Sequence, residues 1–193
     1  MTTTDRTAPR DLRSELIAAA VAMLAEPQQI AVPSLRSIAR ACNVRPSAVY
    51  WHFPSEADLR SAVLSAEYSD LVGTIEHAID GLPRGIDTLI AAGQAYVAWG
   101  LVHPGAYQLL FESSDPLPET LAEHGARLQN RIVELAAISD SATPFHMALL
   151  LWSAQHGIVS LRLHKTDWDW GMTANDAVAR VVTAIAHNSQ KTR

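Results

Sequence analysis

Histidines are the residues of this chain whose chemistry could include metal binding or general-base catalysis. Eight of them occur in 193 residues, but no two lie four positions apart, and neither His-Glu-x-x-His nor Cys-x-x-Cys is present. A glycine-rich phosphate loop and a Gly-x-Ser-x-Gly turn are also missing from the sequence. We therefore expect no metal site, no cofactor and no catalytic residues, and we predict that the chain is not an enzyme.

Aromatic side chains and histidines recur at helical spacing in the second half of the chain. Tyr96, Trp99 and His103 are spaced i, i+3 and i+7, and two further pairs are spaced i, i+4. Such spacing places side chains on one helix face, and mostly apolar walls with a few polar groups are typical of a ligand pocket. The same spacing is also typical of an ordinary core, and both interpretations remain open. The candidate ligand-binding residues are Tyr96, Trp99, His103, Tyr107, Phe111, Trp152 and His156.

Residues 34–52, SLRSIARACNVRPSAVYWH, have the pattern of two short helices joined by a tight turn. Leu35, Ile38 and Cys42 fall on one stripe of the first helix. The turn needs a residue with positive φ, and Asn43 occupies that position. Asparagine suits it because it tolerates the left-handed region better than other non-glycine residues. This pattern predicts a helix-turn-helix.

The second helix of this unit carries side chains suited to DNA. Arg45 can donate two hydrogen bonds to guanine, and the small Ala48 leaves room for a thymine methyl group. Tyr50 and His52 are placed to contact phosphate, which positions a protein on DNA without reading its sequence. The candidate DNA-contacting residues are Ser34, Arg36, Arg45, Pro46, Ser47, Ala48, Tyr50, Trp51 and His52.

The distribution of charge agrees with DNA contact at one end of the chain. The formal net charge is −5 overall, which by itself argues mildly against nucleic-acid binding. Through Ser55, however, six arginines stand against four acidic residues, whereas the remainder carries nine basic and sixteen acidic residues. A basic N-terminal segment on an acidic body is the asymmetry expected when only one end meets phosphate.

The elements that must position these residues are all predicted to be helices. The alternation of apolar and polar residues that is typical of a strand persists nowhere in the sequence. We therefore predict an all-α fold of about nine helices. Ser55, with Asp58 three residues later, has the spacing of a capping box at the start of a long helix. The predicted helices span residues 11–26, 34–42, 45–51, 55–80, 86–103, 105–112, 118–138, 144–163 and 174–188.

The stretch SLRSIARACNVRPSAVYWHFPSEADL at residues 34–59 resembles the DNA-binding signature of the tetracycline-repressor (TetR) family. The Ile-Ala, Val-Tyr and His-Phe pairs of this stretch match that signature. Three positions depart from it: Asn43 replaces a glycine, Arg45 a serine and Glu56 a lysine. The family's lysine often meets DNA phosphate, so Glu56 removes that contact, although an acid suits the start of a helix.

Two later blocks, AYVAWGLVHPGAYQLLF and WSAQHGIVSL, resemble a subgroup of this family whose C-terminal domain is named for a Trp-His-Gly motif. That motif corresponds here to Trp152, His156 and Gly157. The resemblance implies an N-terminal three-helix DNA-binding domain over residues 9–56 and a helical ligand-binding and dimerisation domain over residues 84–190. The helix over 55–80 would connect the two.

The resemblance also implies a homodimer in which two helices from each copy form a four-helix interface. The helix over 144–163 is apolar nearly all round, so it needs a second partner besides its own core. Gly157, in the middle of that helix, would permit close approach there. The candidate dimer-interface residues are Leu150, Ala154, Gly157, Ile158, Leu161, Val178, Val181, Val182 and Ile185.

These features predict a transcriptional regulator, most simply a repressor that leaves a pseudo-palindromic double-stranded DNA operator when an apolar or aromatic small molecule binds. A transcriptional activator is the alternative within the family. No apolar run reaches the ~20 residues that span a bilayer, so we expect a cytoplasmic protein without a membrane partner. A helical enzyme and a purely structural dimerisation module are alternatives from other classes. A gel-shift assay with the gene's own upstream DNA would separate the three classes.

Overall fold

The structure is a computed structural model that describes residues 11–24, 32–113, 119–137 and 144–191. Helices account for every regular element in those ranges, which confirms the predicted all-α class. Along the described chain they are α1 Leu12–Ala22, α2 Leu35–Ala41, α3 Pro46–His52, α4 Glu56–Ile79, α5 Ile86–Val102, α6 Pro104–Phe111, α7 Glu119–Ala136, α8 Pro144–His164 and α9 Ala174–Lys191.

Most of these helices begin and end within three residues of their predicted boundaries. The largest difference is at α1, which ends at Ala22, whereas its prediction ran to residue 26. The backbone N–H of Leu24 donates to the carbonyl of Val21 at 2.9 Å, and this tighter turn closes the helix. Residues 25 and 26 lie outside the described part of the chain. No described helix is long and apolar enough to cross a bilayer.

The first three helices pack around a small apolar core. Leu16 of α1, Ile38 of α2 and Val49 of α3 are each fully buried. Phe53, which follows α3, is also buried, and the guanidinium carbon of Arg13 lies 5.2 Å from the centre of its ring. Because α2 and α3 have only seven residues each, this packing rather than helix propensity holds them in place.

Asn43 forms the turn between α2 and α3 and has a φ of 53°, which confirms the predicted left-handed residue. Its backbone N–H donates to the carbonyl of Arg40 at 3.2 Å, and the N–H of Val44 donates to that of Ala39 at 2.9 Å. These bonds satisfy carbonyl groups at the end of α2 that would otherwise lack partners. The turn thereby sets the direction in which α3 leaves α2.

The long helix α4 joins this three-helix unit to the rest of the chain. Its predicted capping box is confirmed: the N–H of Asp58 donates to Oγ of Ser55 at 3.1 Å, and the N–H of Ser55 donates to the Asp58 carboxylate at 3.0 Å. Buried residues recur along α4 from Leu59 near its start to Ile79 at its end. One face of α4 is therefore covered over its whole length, by α1 and by α5, α6 and α7.

Helix α5 is the centre of the remaining helices and packs against α4, α6, α7, α8 and α9. Two of its glycines permit this close packing. A Cβ atom at Gly93 would lie 2.9 Å from Val178 of α9, and one at Gly100 would lie 2.8 Å from both Val159 of α8 and the ring of Tyr107. Larger residues at these positions would push the neighbouring helices away from α5.

Replacing Asn43 by valine is expected to destabilise the protein by about 1–2 kcal/mol, because a β-branched residue is strained at positive φ. Asn43→Gly is the matched control and is expected to keep or raise the stability, since glycine adopts this conformation freely. Urea unfolding followed by circular dichroism gives the free energy of unfolding of each variant. Equal stability of the valine and glycine variants would contradict the role given to this turn.

Candidate functional site

The first candidate surface is the outward side of α3. Arg45 at its N-terminus and Ser47 in its first turn are exposed, and Tyr50 and Trp51 expose 48% and 80% of their surface. Val49 is fully buried and anchors the helix to the three-helix core. A helix of seven residues thus presents basic, hydroxyl and aromatic groups to solvent on a side that its own chain does not cover.

The other predicted DNA contacts lie around this side of α3. Pro46 is exposed, and Ala48 and His52 are partly exposed. Ser34 and Arg36 are exposed at the start of α2, where Oγ of Ser34 accepts a hydrogen bond at 3.2 Å from the backbone N–H three residues later. Ser34 therefore caps α2. The structure leaves all nine predicted residues at least partly accessible, and their contact with DNA stays a prediction.

An acidic residue borders the same surface. Glu56 is the first residue of α4 and is exposed. Its carboxylate complements the positive end of the helix dipole, but it would repel a phosphate group that approached this end of α4.

The second candidate site is a cavity of about 660 Å³ bounded by α4, α5, α6, α7 and α8, a volume typical of small-molecule pockets. Its wall is mostly apolar and includes Ile75, Leu89, Leu110, Leu121 and Ile132. The described polar residues of the wall are Tyr68, Tyr96, Gln129, Ser153, Gln155 and His156. No aspartate, glutamate, lysine or arginine occurs among the described lining residues. That part of the wall offers a ligand hydrogen bonds but no formal charge.

Four of the seven predicted pocket residues line this cavity, namely Tyr96, Phe111, Trp152 and His156. Tyr107 does not line it, but the Tyr107 hydroxyl lies 2.5 Å from Nδ1 of His156. The hydroxyl of Tyr96 lies 3.5 Å from the same nitrogen. Tyr107 therefore positions the imidazole from behind the wall, in the way that an outer residue orients a ligand-binding histidine.

Burial shifts the pKa values of His156, Tyr107 and Tyr96. It lowers the pKa of the His156 imidazole, an effect that the nearby Glu112 carboxylate partly opposes. It also raises the pKa of the hydroxyl groups of Tyr107 and Tyr96. At neutral pH the imidazole is therefore uncharged and both phenols keep their protons.

Trp99 and His103 lie outside the cavity, against α4, and this differs from the sequence prediction. Nε1 of Trp99 donates to the Asp70 carboxylate at 2.7 Å, and the Trp99 ring stacks on His103 with 4.9 Å between the centroids. Nδ1 of His103 lies 3.5 Å from Oε2 of Glu67, a buried residue of α4. Burial raises the pKa of the Glu67 carboxyl, and His103 opposes that shift. These side chains join α4 to α5 and to the start of α6.

Two parts of the cavity wall were not predicted. Helix α7 contributes Leu121, Gln129 and Ile132, none of which is among the predicted ligand-binding residues. Gln155 is buried in the wall beside His156, and the only signal for it was a polar residue within an otherwise apolar stretch of α8.

The predicted dimer-interface residues of α8 are accessible. Leu150 and Leu161 expose 56% and 51% of their surface, and Ala154, Gly157 and Ile158 are partly exposed. A Cβ atom at Gly157 would meet nothing within 4 Å. The described chain therefore gives no packing reason for a glycine at this helix position, where alanine would be more favourable.

The predicted interface residues of α9 divide into two pairs. Val181 and Ile185 are partly exposed, whereas Val178 and Val182 are fully buried inside the chain. The two buried valines are one helical turn apart and share a face, and Val178 packs close to Gly93 of α5. We therefore remove Val178 and Val182 from the candidate interface.

Two family descriptions match the chain. Residues 16–63 match the bacterial regulatory proteins of the tetR family, and residues 89–186 match the tetracyclin repressor-like C-terminal domain. The first match contains α2 and α3, and the second contains most of the cavity wall together with α8. The narrower resemblance to the Trp-His-Gly subgroup stays a prediction.

The curated relatives are regulators of mycobacteria. The chain is 32% identical over 102 residues to an HTH-type transcriptional regulator of Mycobacterium tuberculosis. The aligned stretch covers 52% of this chain and 44% of the relative. It is 27% identical over 157 residues to an uncharacterized HTH-type transcriptional regulator of the same species, with coverage of 79% and 72%. The chain thus matches less than half the length of the first relative.

Solved structures share the fold over nearly the whole chain. A protein with unknown function from Rhodococcus sp. RHA1 gives a TM-score of 0.80 at 20% identity and covers 97% of this chain and 99% of its own. A TetR-like transcriptional regulator from the same source gives 0.68 at 19% identity, with coverage of 97% and 100%. These identities support the fold alone. The family matches over residues 16–63 and 89–186 also establish the family. The chain belongs to the tetracycline-repressor family of bacterial regulatory proteins.

Proposed function

We propose that this chain is a homodimeric transcriptional regulator that binds DNA through α2 and α3 and releases it when a small molecule occupies the cavity. The observation that carries the proposal is the outward side of α3, where Arg45, Ser47, Tyr50 and Trp51 are exposed while Val49 is buried. Membership of the tetracycline-repressor family supports it. The proposed activity is binding rather than catalysis, at an operator in the bacterial cytoplasm.

In the proposed complex α3 lies in the major groove of the DNA. Arg45 would donate two hydrogen bonds to a guanine, and Tyr50 and His52 would contact phosphate. Ser34 and Arg36 would add contacts to the DNA backbone from the start of α2. Two copies related by a two-fold axis would each read one half-site, so we expect a pseudo-palindromic operator with half-sites about 34 Å apart or a multiple of that distance.

The second copy is proposed to cover the outer side of α8 and α9. Leu150, Gly157 and Leu161 follow one stripe of α8, and Val181 and Ile185 extend the apolar surface onto α9. Exposed apolar residues grouped on neighbouring helices are typical of protein–protein interfaces. Two copies of the same surface would pack together as a four-helix interface with two-fold symmetry.

The response to a ligand is proposed to act through α4. Tyr68 and Ile75 of α4 line the cavity, and the same helix begins at Ser55, directly after the three-helix unit. On this proposal residues 9–56 and 84–190 are the two domains that helix 55–80 connects. A ligand that shifts α4 would change the separation of the two α3 helices, and an operator with fixed spacing would then bind less well. Release of DNA on ligand binding would make the protein a repressor.

Arg45→Ala is expected to weaken operator binding by about tenfold or more, because a bidentate arginine–guanine contact contributes about 1–3 kcal/mol. Glu56→Ala at the border of the same surface is the matched control. It is expected to leave the affinity unchanged or to raise it, since it removes a negative charge near phosphate. Fluorescence-anisotropy titrations with DNA from the gene's own upstream region, at several salt concentrations, measure both variants.

Two results would contradict the proposal that the outward side of α3 contacts DNA. One is a larger loss of affinity for Glu56→Ala than for Arg45→Ala. The other is an absence of sequence-selective binding by the unchanged protein at low salt, which would favour a purely structural role.

Leu150→Glu is expected to convert the dimer to a monomer, because it would bury a charge against an apolar surface. Leu82→Glu is the matched control, since Leu82 is a similarly exposed leucine in the loop between α4 and α5. It is expected to leave the dimer intact. Size-exclusion chromatography with light scattering gives the mass of each variant, and circular dichroism checks the fold. A dimeric, folded Leu150→Glu protein would place the interface elsewhere.

A further inference from the structure

A buried amide in the cavity wall points to the chemistry of the ligand. Gln155 of α8 exposes 7% of its surface and lines the cavity. The described residues give its side-chain amide no hydrogen-bond partner. The amide atoms are not among the described buried atoms that lack both a partner and accessible surface, so they keep some access to the cavity. A hydrogen-bond partner there would stabilise the amide. The side chain therefore favours an occupant of the cavity that forms hydrogen bonds with it.

Gly93 of α5 makes room for this amide. A Cβ atom at position 93 would lie 2.3 Å from Nε2 of Gln155, closer than real Cβ atoms approach other atoms. Glycine weakens a helix interior relative to alanine, so its presence in α5 needs a compensating reason. Space for the Gln155 amide, together with the close approach of α9, supplies that reason.

His156, the next residue of α8, supplies a second polar group. Its Nδ1 is hydrogen-bonded to the Tyr107 hydroxyl at 2.5 Å, and His156 also lines the cavity. The described residues leave its Nε2 without a partner. The cavity wall thus includes an amide and an imidazole, and the described residues form no hydrogen bond with the amide or with Nε2 of the imidazole.

The rest of the described wall is unsuited to an ion. It carries no acidic or basic residue besides the imidazole of His156, so a carboxylate or an ammonium group would lose its water without gaining a counter-ion. The aromatic rings of Tyr96, Phe111 and Trp152 instead favour an apolar body with flat surfaces.

We propose that the cavity binds an uncharged, mainly apolar small molecule that carries a carbonyl or hydroxyl group, and that Gln155 and His156 hydrogen bond to that group. This inference rests on the proposed function, for which it specifies the class of ligand. An entirely apolar molecule would fill the same space but would leave the Gln155 amide unpaired.

Four probes of similar size test the proposal: 2-naphthamide, naphthalene, 2-naphthoate and 2-naphthylmethylammonium. Equilibrium dialysis against the full chain at neutral pH gives the dissociation constant of each. 2-Naphthamide is expected to bind most tightly, naphthalene about tenfold more weakly, and the two ions more weakly still. Binding of either ion as tight as that of 2-naphthamide, or no binding of 2-naphthamide, would overturn the proposal.

Two substitutions at Gln155 test the residue itself. Gln155→Leu and Gln155→Met are both expected to abolish the preference for 2-naphthamide over naphthalene while keeping naphthalene binding, and the second serves if the first does not fold. Gln94→Leu is the matched control, because Gln94 is a glutamine of α5 that does not line the cavity and whose amide donates to the carbonyl of Asn175 at 3.2 Å. It is expected to leave the preference unchanged. An undiminished preference in a folded Gln155 variant would overturn the assignment.

Operator binding of the unliganded protein is measured in parallel. Failure to bind any operator would overturn the proposed function, while the order of probe affinities would still test the cavity. The wrong order of probe affinities with intact operator binding would overturn the ligand class alone.

Discussion

Helix α4 is the element on which the rest of the structure depends, because one continuous helix supplies buried side chains to both halves of the chain. It begins at the capping box of Ser55, buries Leu59 near its start, and places Ile75 in the wall of the cavity. Its 24 residues span about 36 Å. One continuous helix therefore contacts both the cavity wall and the three-helix unit.

The contacts that hold α4 in place include polar groups as well as apolar ones. Glu67 is buried beside His103, and Asp70 accepts a hydrogen bond from Trp99. The Glu67 carboxylate is costly to bury, and both contacts have strict geometry, so they favour one position of α4 relative to α5 and α6. Helix α6 also carries Tyr107, which holds a histidine of the cavity wall. Residues of α4 therefore line the cavity directly. Helix α6, which packs against α4, holds another part of the cavity wall.

Features with local causes could be predicted from the sequence, and features with long-range causes could not. The turn at Asn43 and the capping box of Ser55 and Asp58 depend on residues within a few positions, so spacing and residue type were sufficient. The face of α5 that meets the cavity depends on five neighbouring helices. Tyr96 lines the cavity, whereas Trp99, three residues later, faces α4. Helical periodicity groups the two together because it contains no information about the neighbours.

The fit between Gly93 and Gln155 has a consequence for how this cavity can change during evolution. A Cβ atom at position 93 would lie 2.3 Å from Nε2 of Gln155, so a larger residue there would force the amide out of its present position. A small residue at position 155 would instead leave a void beside Gly93, and voids in a core reduce stability. Related proteins with other ligands should therefore differ at positions 93 and 155 together. A lineage that changed one position first would pass through a less stable intermediate.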